Sequence, residues 1–215
     1  MIITMRAAIL EKIGSPLVIK EIKVPELLFG QVLVKVLYSG VCRSQVMEVN
    51  GRRGNDPWLP HLLGHEGSGI VMKVGDGVTK VKPDDEVILG WVKSDGLDVA
   101  GAKYRLGDQV INSGGVTTFS NYTVVAENRL VKKPNSLPFD TAVLFGCALP
   151  TGAGMVLNEL KPTVQNSVVV IGLGGIGLSA LIAFIALGVE CIIAIDISSD
   201  KLNFAKKIIS GEIDE

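Results

Sequence analysis

The sequence predicts a mixed fold, in which a partly closed antiparallel β-barrel is followed by the first β-α-β-α part of a doubly wound α/β domain. Short strand-like segments separated by turn signals occupy the first part of the chain. Beyond Pro138 the pattern changes to helices alternating with apolar strands. A glycine-rich run, residues 172–177, joins one of these strands to the helix that follows it. These three observations decide the fold class.

The N-terminal strands are short and are joined by tight turns. The strand-like segments are residues 6–10, 17–22, 31–38, 68–75 and 85–90. Gly14-Ser15-Pro16 separates the first two, and Asp76-Gly77 is a turn signal between the last two. Such spacing favours a compact, partly closed antiparallel barrel.

The C-terminal part alternates helices with apolar strands. Helices are predicted over residues 138–146, 151–159, 176–187 and 199–209, and strands over residues 167–171 and 191–195. This order is the opening of a doubly wound sheet. We therefore expect two domains, residues 1–150 and 151–215, with the boundary near Pro150.

Composition and charge argue against several function classes. The chain has 215 residues, 47% hydrophobic residues, 20% charged residues and a net charge of −1. This charge gives no reason to expect nucleic acid or an anionic membrane as a partner. The apolar run over residues 178–195 is interrupted by Gly188 and Glu190, so it predicts a buried helix and a buried strand. Without a signal-peptide pattern or a disulfide framework, a cytoplasmic protein is expected.

The glycine-rich run lies where a dinucleotide-binding (Rossmann) site needs it, after an apolar strand and at the start of a helix. Gly172 allows the tight turn, Gly174 lets the main chain approach a pyrophosphate, and Gly177 permits close packing of helix and strand. The helix N-terminus supplies free N–H groups for phosphate. Asp196 ends the next strand, where a carboxylate accepts hydrogen bonds from ribose hydroxyls and repels a 2′-phosphate. The pattern predicts NAD rather than NADP.

A metal-binding set precedes this run. Two thiolates and one imidazole, from Cys42, His65 and Cys147, are the ligands of a catalytic zinc that keeps its fourth position open. Taken singly, each cysteine also fits a small buried core residue, and His65 fits a structural histidine. Cys191, inside an apolar strand, is expected to be such a core residue. A zinc set followed by a dinucleotide site predicts hydride transfer at a metal-polarised oxygen.

The order of these elements resembles the medium-chain, zinc-containing alcohol dehydrogenase family over essentially the whole chain. The motifs that carry the resemblance are residues 40–44, 63–69 and 146–147, Thr151-Gly152, residues 172–177 and residues 196–201. The resemblance implies a GroES-like barrel with one catalytic zinc held by Cys42, His65 and Cys147. A partial NAD-binding Rossmann domain would follow it.

The resemblance also implies roles for individual residues. Glu66 would lie just behind the metal, and Ser44 would pass the substrate proton outward. Arg43 would contact the pyrophosphate and Thr151 would lie near the nicotinamide. Asp196 and Lys201 would surround the adenosine ribose. The cofactor loop would comprise Gly172, Gly174, Gly175, Ile176 and Gly177.

The chain also departs from the family pattern. Residues 93–116 contain no cysteine, so the four-cysteine structural zinc of some members is not expected. Gln45 replaces an aspartate that usually supports the zinc histidine, and its amide can still accept a hydrogen bond but carries no charge. Met47 replaces a relay histidine, so the proton path must differ.

The expected function is zinc-dependent hydride transfer between NAD and an alcohol or polyol, or the matching aldehyde or ketone. The expected partner is this small-molecule substrate, and the full-length form is expected to be a homo-oligomer. Two alternatives stay open: a zinc-free relative of the quinone reductase type, and a truncated, inactive homologue that binds zinc or a partner. Because the chain ends after two strands of the second domain, we expect the 215 residues alone to be a poor catalyst.

Overall fold

The computed structural model describes residues 3–211. Within it the chain divides into two compact units, the first ending at Cys147 and the second beginning at Ala148. Each unit has its own hydrophobic core.

Strands of the first unit form two five-stranded sheets. They are β1 (Thr4–Leu10), β2 (Val18–Lys23), β3 (Gln31–Ser39), β4 (His61–Leu62), β5 (Gly67–Val74), β6 (Glu86–Leu89), β7 (Tyr104–Leu106), β8 (Gln109–Ile111), β9 (Tyr122–Ala126) and β10 (Leu130–Lys132). One sheet has the order β4-β1-β2-β7-β8 and the other the order β10-β6-β5-β3-β9. Adjacent strands in both are antiparallel, and a bridge between Ala7 and Ser120 links β1 to the stretch before β9. The predicted partly closed barrel is confirmed.

Alternation along the strands explains why this barrel forms. In β1 the buried residues Met5, Ala7 and Ile9 alternate with more exposed ones, so one face of the strand turns into the core. That face packs against Tyr104, which is fully buried and whose hydroxyl oxygen accepts a hydrogen bond from the N–H of Val124 at 2.9 Å. Burial of such side chains is the main stabilising contribution to the barrel.

Strand register in the second sheet brings three chain segments to one place. Ser39, the last residue of β3, pairs with Gly67, the first residue of β5. Gly67 also pairs with Leu89, the last residue of β6. The loops that leave β3 and β6 and the loop that enters β5 therefore lie side by side.

Four helical segments complete the described part of the first unit. They are α1 (Arg43–Val49), α2 (Phe139–Ala142) and a 3-10 turn (Val143–Gly146) that continues α2, and a further 3-10 turn covers Glu127–Arg129. Helix α1 was not predicted from the sequence, because seven residues are too few to show a helical apolar period.

The second unit has the predicted β-α-β-α order. Its elements are α3 (Ala148–Gly154) with a π-helical extension (Met155–Leu160), β11 (Ser167–Ile171), α4 (Gly175–Ala186), β12 (Cys191–Ile195) and α5 (Ser199–Ser210). β11 and β12 are parallel, and α4 packs against them through Leu181 and Phe184. A side chain at Gly177 would clash with the carbonyl oxygen of Gly172, so glycine is required there. The expected start of a Rossmann fold is confirmed.

β12 differs from the prediction of a buried strand. Its residues alternate in exposure, and Cys191, Ile193 and Ile195 lie on the exposed face. The prediction that Cys191 is a core residue is therefore wrong. The exposed residues of β12 pair in register with Ser167, Val169 and Ile171 of β11, which are exposed too, so one face of this two-stranded sheet is uncovered within the described residues.

No single helix in residues 3–211 is long and apolar enough to cross a membrane. The consecutive segments Phe139–Gly146 and Ala148–Leu160 reach that length and composition only as a bent pair.

Candidate functional site

Cys42, His65 and Cys147 meet in the first unit although 105 residues separate the two cysteines. Sγ of Cys147 lies 4.0 Å from Sγ of Cys42 and 3.2 Å from Nε2 of His65. All three ligand atoms lie within 4.8 Å of one another. The structure thus brings together the three side chains that the sequence analysis selected.

Each of these side chains is positioned by the end of a regular element. Cys42 is the residue before α1, shortly after β3 ends, and His65 lies between β4 and β5. Cys147 follows the 3-10 turn that ends at Gly146. Gly64 has a φ of +87°, and a side chain there would clash with Thr118, so only glycine lets the chain turn before His65.

The geometry and chemistry of the three ligands fit a zinc ion. Bonds of about 2.3 Å to sulfur and about 2.0 Å to nitrogen place neighbouring ligand atoms of a tetrahedral ion roughly 3.5–3.8 Å apart. The observed separations of 3.2 and 4.0 Å lie on either side of this range. Two soft sulfurs and one imidazole favour zinc over calcium or magnesium.

Burial makes the site electrostatically unfavourable for anions. Burial, followed by the proximity of Cys42 and Glu66, raises the pKa of the Cys147 thiol to about 12. Burial also raises the pKa of Glu66 above its ordinary value. Burial, and then the positive charge of Arg53, lower the pKa of His65. A cation among these groups would offset the cost of ionising the thiols.

Glu66 is buried directly next to the ligand triad, with 6% of its surface exposed. Its side chain occupies space that glycines leave open, because a side chain at Gly40 or Gly146 would come within 2.8 Å of Glu66 atoms. The main-chain oxygen of Glu66 accepts hydrogen bonds from the hydroxyl of Thr118 at 3.0 Å and the N–H of Gly40 at 3.2 Å. These contacts hold the His65-Glu66 segment in place.

Ser44 lies on α1, two residues after Cys42. Its Oγ is buried and has no hydrogen-bond partner within the part of the chain that the structure describes. A buried hydroxyl without a partner costs about 1–3 kcal/mol, which a hydrogen bond to a bound group or a water molecule would offset. Arg43 and Met47, on the same helix, are exposed.

Gln45, also on α1, contacts the imidazole of His65. Its Nε2 lies 3.1 Å from Nδ1 of His65 and 3.3 Å from Oε2 of Glu48, while its Oε1 accepts a hydrogen bond from the N–H of Gly64. The sequence predicted that the amide oxygen accepts a hydrogen bond from the ring. Because Gly64 occupies its oxygen, the amide presents its N–H groups to His65 and to Glu48.

The glycine-rich loop of the second unit has room for a phosphate group. Gly174 precedes α4, and no atom lies within 4 Å of the position that its side chain would take. No side chain caps the first turn of α4, so N–H groups at this positive helix end are available to an anion. Gly175 and Ile176 form this first turn.

Asp196 is oriented by the main chain on both sides. Its Oδ2 accepts from the N–H of Leu173 at 2.7 Å, and its Oδ1 accepts from the N–H of Ser198 at 2.9 Å. Nζ of Lys201 lies 3.5 Å from Oδ2. The N–H groups of Leu173 and Ser198, and then the charge of Lys201, lower the pKa of Asp196, so the carboxylate is ionised at neutral pH. Asp196 and Lys201, which were expected to surround the adenosine ribose, are thus adjacent.

The remaining predicted residues lie in different units. Arg43 is on α1 of the first unit, and Thr151 is on α3 of the second. A second group of possible metal ligands in the first unit was not predicted from the sequence: Glu48, Asp56 and His61. The sequence held no spacing signal for this group, because only the fold brings the three side chains together.

Comparison with known proteins places these features in a family context. Residues 29–135 match the family model for the alcohol dehydrogenase GroES-like domain. An S-(hydroxymethyl)glutathione dehydrogenase of Paracoccus denitrificans is 33% identical over 94% of this chain and 60% of its own length. The chain spans 60% of the length of the curated relatives it matches.

Two solved structures resemble both units. An alcohol dehydrogenase zinc-binding domain protein from Burkholderia ambifaria has a TM-score of 0.87 and 26% identity, with coverage of 99% of this chain and 66% of that one. A short chain alcohol dehydrogenase from E. coli CFT073, complexed with NADH, has a TM-score of 0.78 and 27% identity, with coverage of 95% and 60%.

Proposed function

Because this chain belongs to the medium-chain, zinc-containing alcohol dehydrogenase family, we propose that the whole protein transfers a hydride between an alcohol or polyol and NAD. The matching aldehyde or ketone is the substrate of the reverse reaction. The observation that carries this proposal is the convergence of Cys42, His65 and Cys147. The alternative of a zinc-free quinone reductase does not require these three side chains to meet.

Zinc would be held by the two thiolates and the imidazole of this triad. When bound, zinc supplies a Lewis acid that polarises an alcohol or carbonyl oxygen. Glu66 is buried beside the triad, and its carboxylate can approach the bound metal ion while the other ligands exchange. The raised pKa of Glu66 lets it take up or release a proton closer to neutral pH than an exposed glutamate.

The proposed route for the substrate proton begins at Ser44. Its buried Oγ lacks a hydrogen-bond partner in residues 3–211, so it can accept a proton from a substrate hydroxyl and donate its own. Met47 offers no titratable group at the position where some relatives have a histidine. The proton must therefore leave through other groups.

NAD would be bound by the second unit. The loop around Gly174 and the N-terminus of α4 would receive the pyrophosphate, and Asp196 with Lys201 would hydrogen-bond the adenosine ribose. Arg43 would neutralise phosphate charge, and Thr151 would contact the nicotinamide. When bound, NAD⁺ would accept the hydride, and NADH would donate it in the reverse reaction.

A metal analysis with matched cysteine variants tests the zinc site. Cys42→Ser should sharply reduce zinc bound to the protein, whereas Cys191→Ser, which changes an exposed cysteine far from the triad in sequence, should not. A screen of alcohols and polyols, followed by NADH absorbance, tests the activity of the whole protein. Equal zinc loss in both variants, or turnover that is unchanged in Cys42→Ser, would contradict the proposal and favour the zinc-free alternative.

A further inference from the structure

A second group of metal-ligating side chains lies in the first unit, outside the zinc triad. Nε2 of His61 is 2.7 Å from Oδ2 of Asp56 and 3.8 Å from Oε1 of Glu48. All three ligand atoms lie within 4.8 Å of one another. Nothing in the proposed dehydrogenase reaction uses these side chains.

His61 is fixed so that one ring nitrogen is presented to the group. Its Nδ1 donates a hydrogen bond to the main-chain oxygen of Leu62 at 2.9 Å, since a carbonyl can only accept. Nε2, the other ring nitrogen, faces the carboxylates of Asp56 and Glu48. A histidine that ligates a metal is commonly held by such a bond from its other nitrogen. The side chain is 7% exposed, so it has little freedom to turn away.

Asp56 is also held in a fixed orientation. Its Oδ1 accepts from the N–H of Trp58 at 3.0 Å, which leaves Oδ2 directed at His61. The main-chain oxygen of Trp58 in turn accepts from the side-chain amide of Asn112 at 2.7 Å. Burial acts to raise the pKa of Asp56, but hydrogen bonds from His61 and Trp58 outweigh it, and the pKa lies below its ordinary value. The carboxylate is therefore ionised and available.

Glu48 completes the group from α1. Its Oε2 is bound by the amide of Gln45 at 3.3 Å and approached by Nη1 of Arg53 at 3.5 Å. These contacts leave Oε1 as the oxygen that faces Nε2 of His61. Two carboxylates and one imidazole thus share one space, and Arg53 is the one lysine or arginine within ion-pair distance of them in the described part of the chain.

The group opens on a cavity of about 600 Å³ that all three side chains line. The cavity gives an ion and its remaining water ligands access from outside. Bonds of about 2.0–2.2 Å to nitrogen and oxygen place neighbouring ligand atoms roughly 3.0–3.5 Å apart. The observed 2.7 and 3.8 Å bracket this range, so small side-chain rotations would suffice.

We propose that Glu48, Asp56 and His61 form a second site, for a divalent first-row transition-metal ion. One imidazole and two carboxylates suit zinc, manganese or cobalt better than calcium, which prefers oxygen ligands alone. The two carboxylates are suited to a cation, whose binding would displace the proton shared by Nε2 of His61 and Oδ2 of Asp56. The expectation of one zinc ion per chain then applies to the thiolate site, and the capacity of the chain rises to two ions.

Cobalt titration of the metal-free chain distinguishes the two sites. Co²⁺ bound by Cys42, His65 and Cys147 gives a thiolate-to-cobalt charge-transfer band, whereas Co²⁺ bound by nitrogen and oxygen gives none. Equilibrium dialysis counts the bound ions. We expect two Co²⁺ ions per chain, of which only one contributes to the charge-transfer band.

Variants assign the second ion. Asp56→Asn keeps the size of the side chain and an oxygen for the Trp58 bond, and Glu48→Gln changes a partly exposed helix residue, so both should fold. Each should weaken binding of the second ion by at least about tenfold and leave the charge-transfer band unchanged. Asp98→Asn, an exposed aspartate paired with Lys93, is the matched control and should retain both ions.

Two results would overturn the proposal. One is a wild-type chain that binds a single Co²⁺ with the full charge-transfer band, which would identify the Asp56–His61 contact as an ion pair only. The other is a second ion whose affinity neither Asp56→Asn nor Glu48→Gln reduces. Absence of the charge-transfer band with one ion still bound would instead count against the thiolate site and leave the second site standing.

Discussion

Nε2 of Gln45 lies 3.1 Å from Nδ1 of His65, so an amide occupies the place beside the ring where the family pattern has a carboxylate. The same amide nitrogen is 3.3 Å from Oε2 of Glu48. An amide N–H directed at Nδ1 favours the ring form with its proton on Nε2, the nitrogen that faces Cys147. Zinc needs the opposite form, with the lone pair on Nε2. Zinc binding therefore requires a rotation of Gln45 or a shift of its hydrogen bonds.

Exchanging the two side chains tests this relationship. In the double variant Gln45→Glu with Glu48→Gln, a carboxylate accepts from Nδ1 and from the N–H of Gly64, and the net charge is unchanged. Zinc affinity at the thiolate site should rise by about tenfold or more, because the carboxylate favours the zinc-binding form of His65. Competition with a chromophoric chelator measures it. Glu48→Gln alone is the control, and an equal rise in that single variant would contradict the explanation.

Zinc affinity should depend steeply on pH because of Cys147. The pKa of its thiol is raised to about 12, so the metal-free site holds this proton throughout the neutral range. Zinc must displace it, and this proton alone should make the apparent affinity rise about tenfold per pH unit. Chelator competition between about pH 6 and pH 8 gives the slope. Cys147→Ser should reduce the slope by the contribution of one proton. An unchanged slope would show that zinc does not displace the proton of this thiol.

Two glycines of the cofactor loop should respond differently to alanine. A side chain at Gly174 meets no atom, so Gly174→Ala should fold normally but fill the space for the pyrophosphate and weaken NADH binding at least about tenfold. A side chain at Gly177 clashes with the oxygen of Gly172, so Gly177→Ala should destabilise the second unit itself. Circular dichroism melting and NADH fluorescence titration separate the effects. Normal NADH binding by Gly174→Ala would exclude this loop as the phosphate site.

Asp196 should determine the preference for NAD. Asp196→Ala removes the acceptor for ribose hydroxyls and the repulsion of a 2′-phosphate. NADH should therefore bind about tenfold more weakly, and the affinity for NADPH should rise relative to that for NADH. Asp200→Ala, which changes a neighbouring acid in the first turn of α5, is the control. Binding constants of the whole protein for both cofactors measure the ratio. Tighter binding of NADPH than NADH by the unchanged protein would disprove the assignment.

Glu127 should stabilise the barrel in a pH-dependent way. Its carboxylate is 1% exposed and accepts from the N–H groups of Thr79 and Lys80 at 2.6 Å and of Leu97 at 2.9 Å. Burial acts to raise its pKa, but these hydrogen bonds outweigh burial and the pKa lies below the ordinary 4.5. The stabilisation is therefore complete above the unfolded-state pKa and is lost as pH falls through the folded-state pKa.

The corresponding variant is Glu127→Gln. At neutral pH it should lower the free energy of unfolding by about 1.5–3 kcal/mol, the contribution typical of hydrogen bonds to a charged group. Urea denaturation should show this difference shrinking as the pH falls below about 4. Glu21→Gln, an exposed glutamate that accepts one bond from Thr4, should have little effect. A difference for Glu127→Gln that is constant with pH would contradict the role of its charge.

Local patterns predicted most of the regular structure. Strand-like segments predicted β1 and β3, and the apolar strand before Gly172 predicted β11, because strand-forming residues and the turns between them are recorded in neighbouring positions. α1 was missed because its seven residues carry no apolar stripe. The prediction for Cys191 was wrong because an apolar segment does not reveal how many of its faces are covered.

By itself, the sequence determined which residue types are present for chemistry: Cys42, His65 and Cys147 for a metal, and the glycine run with Asp196 for a dinucleotide. Those predictions rest on motifs whose members are either close in the chain or recur in a fixed order. Only the tertiary structure decided that Gln45 donates to His65, that Ser44 is left without a partner, and that Glu48, Asp56 and His61 meet. Such contacts depend on strand register and loop packing, which bring distant residues within bonding distance, and no local pattern records them.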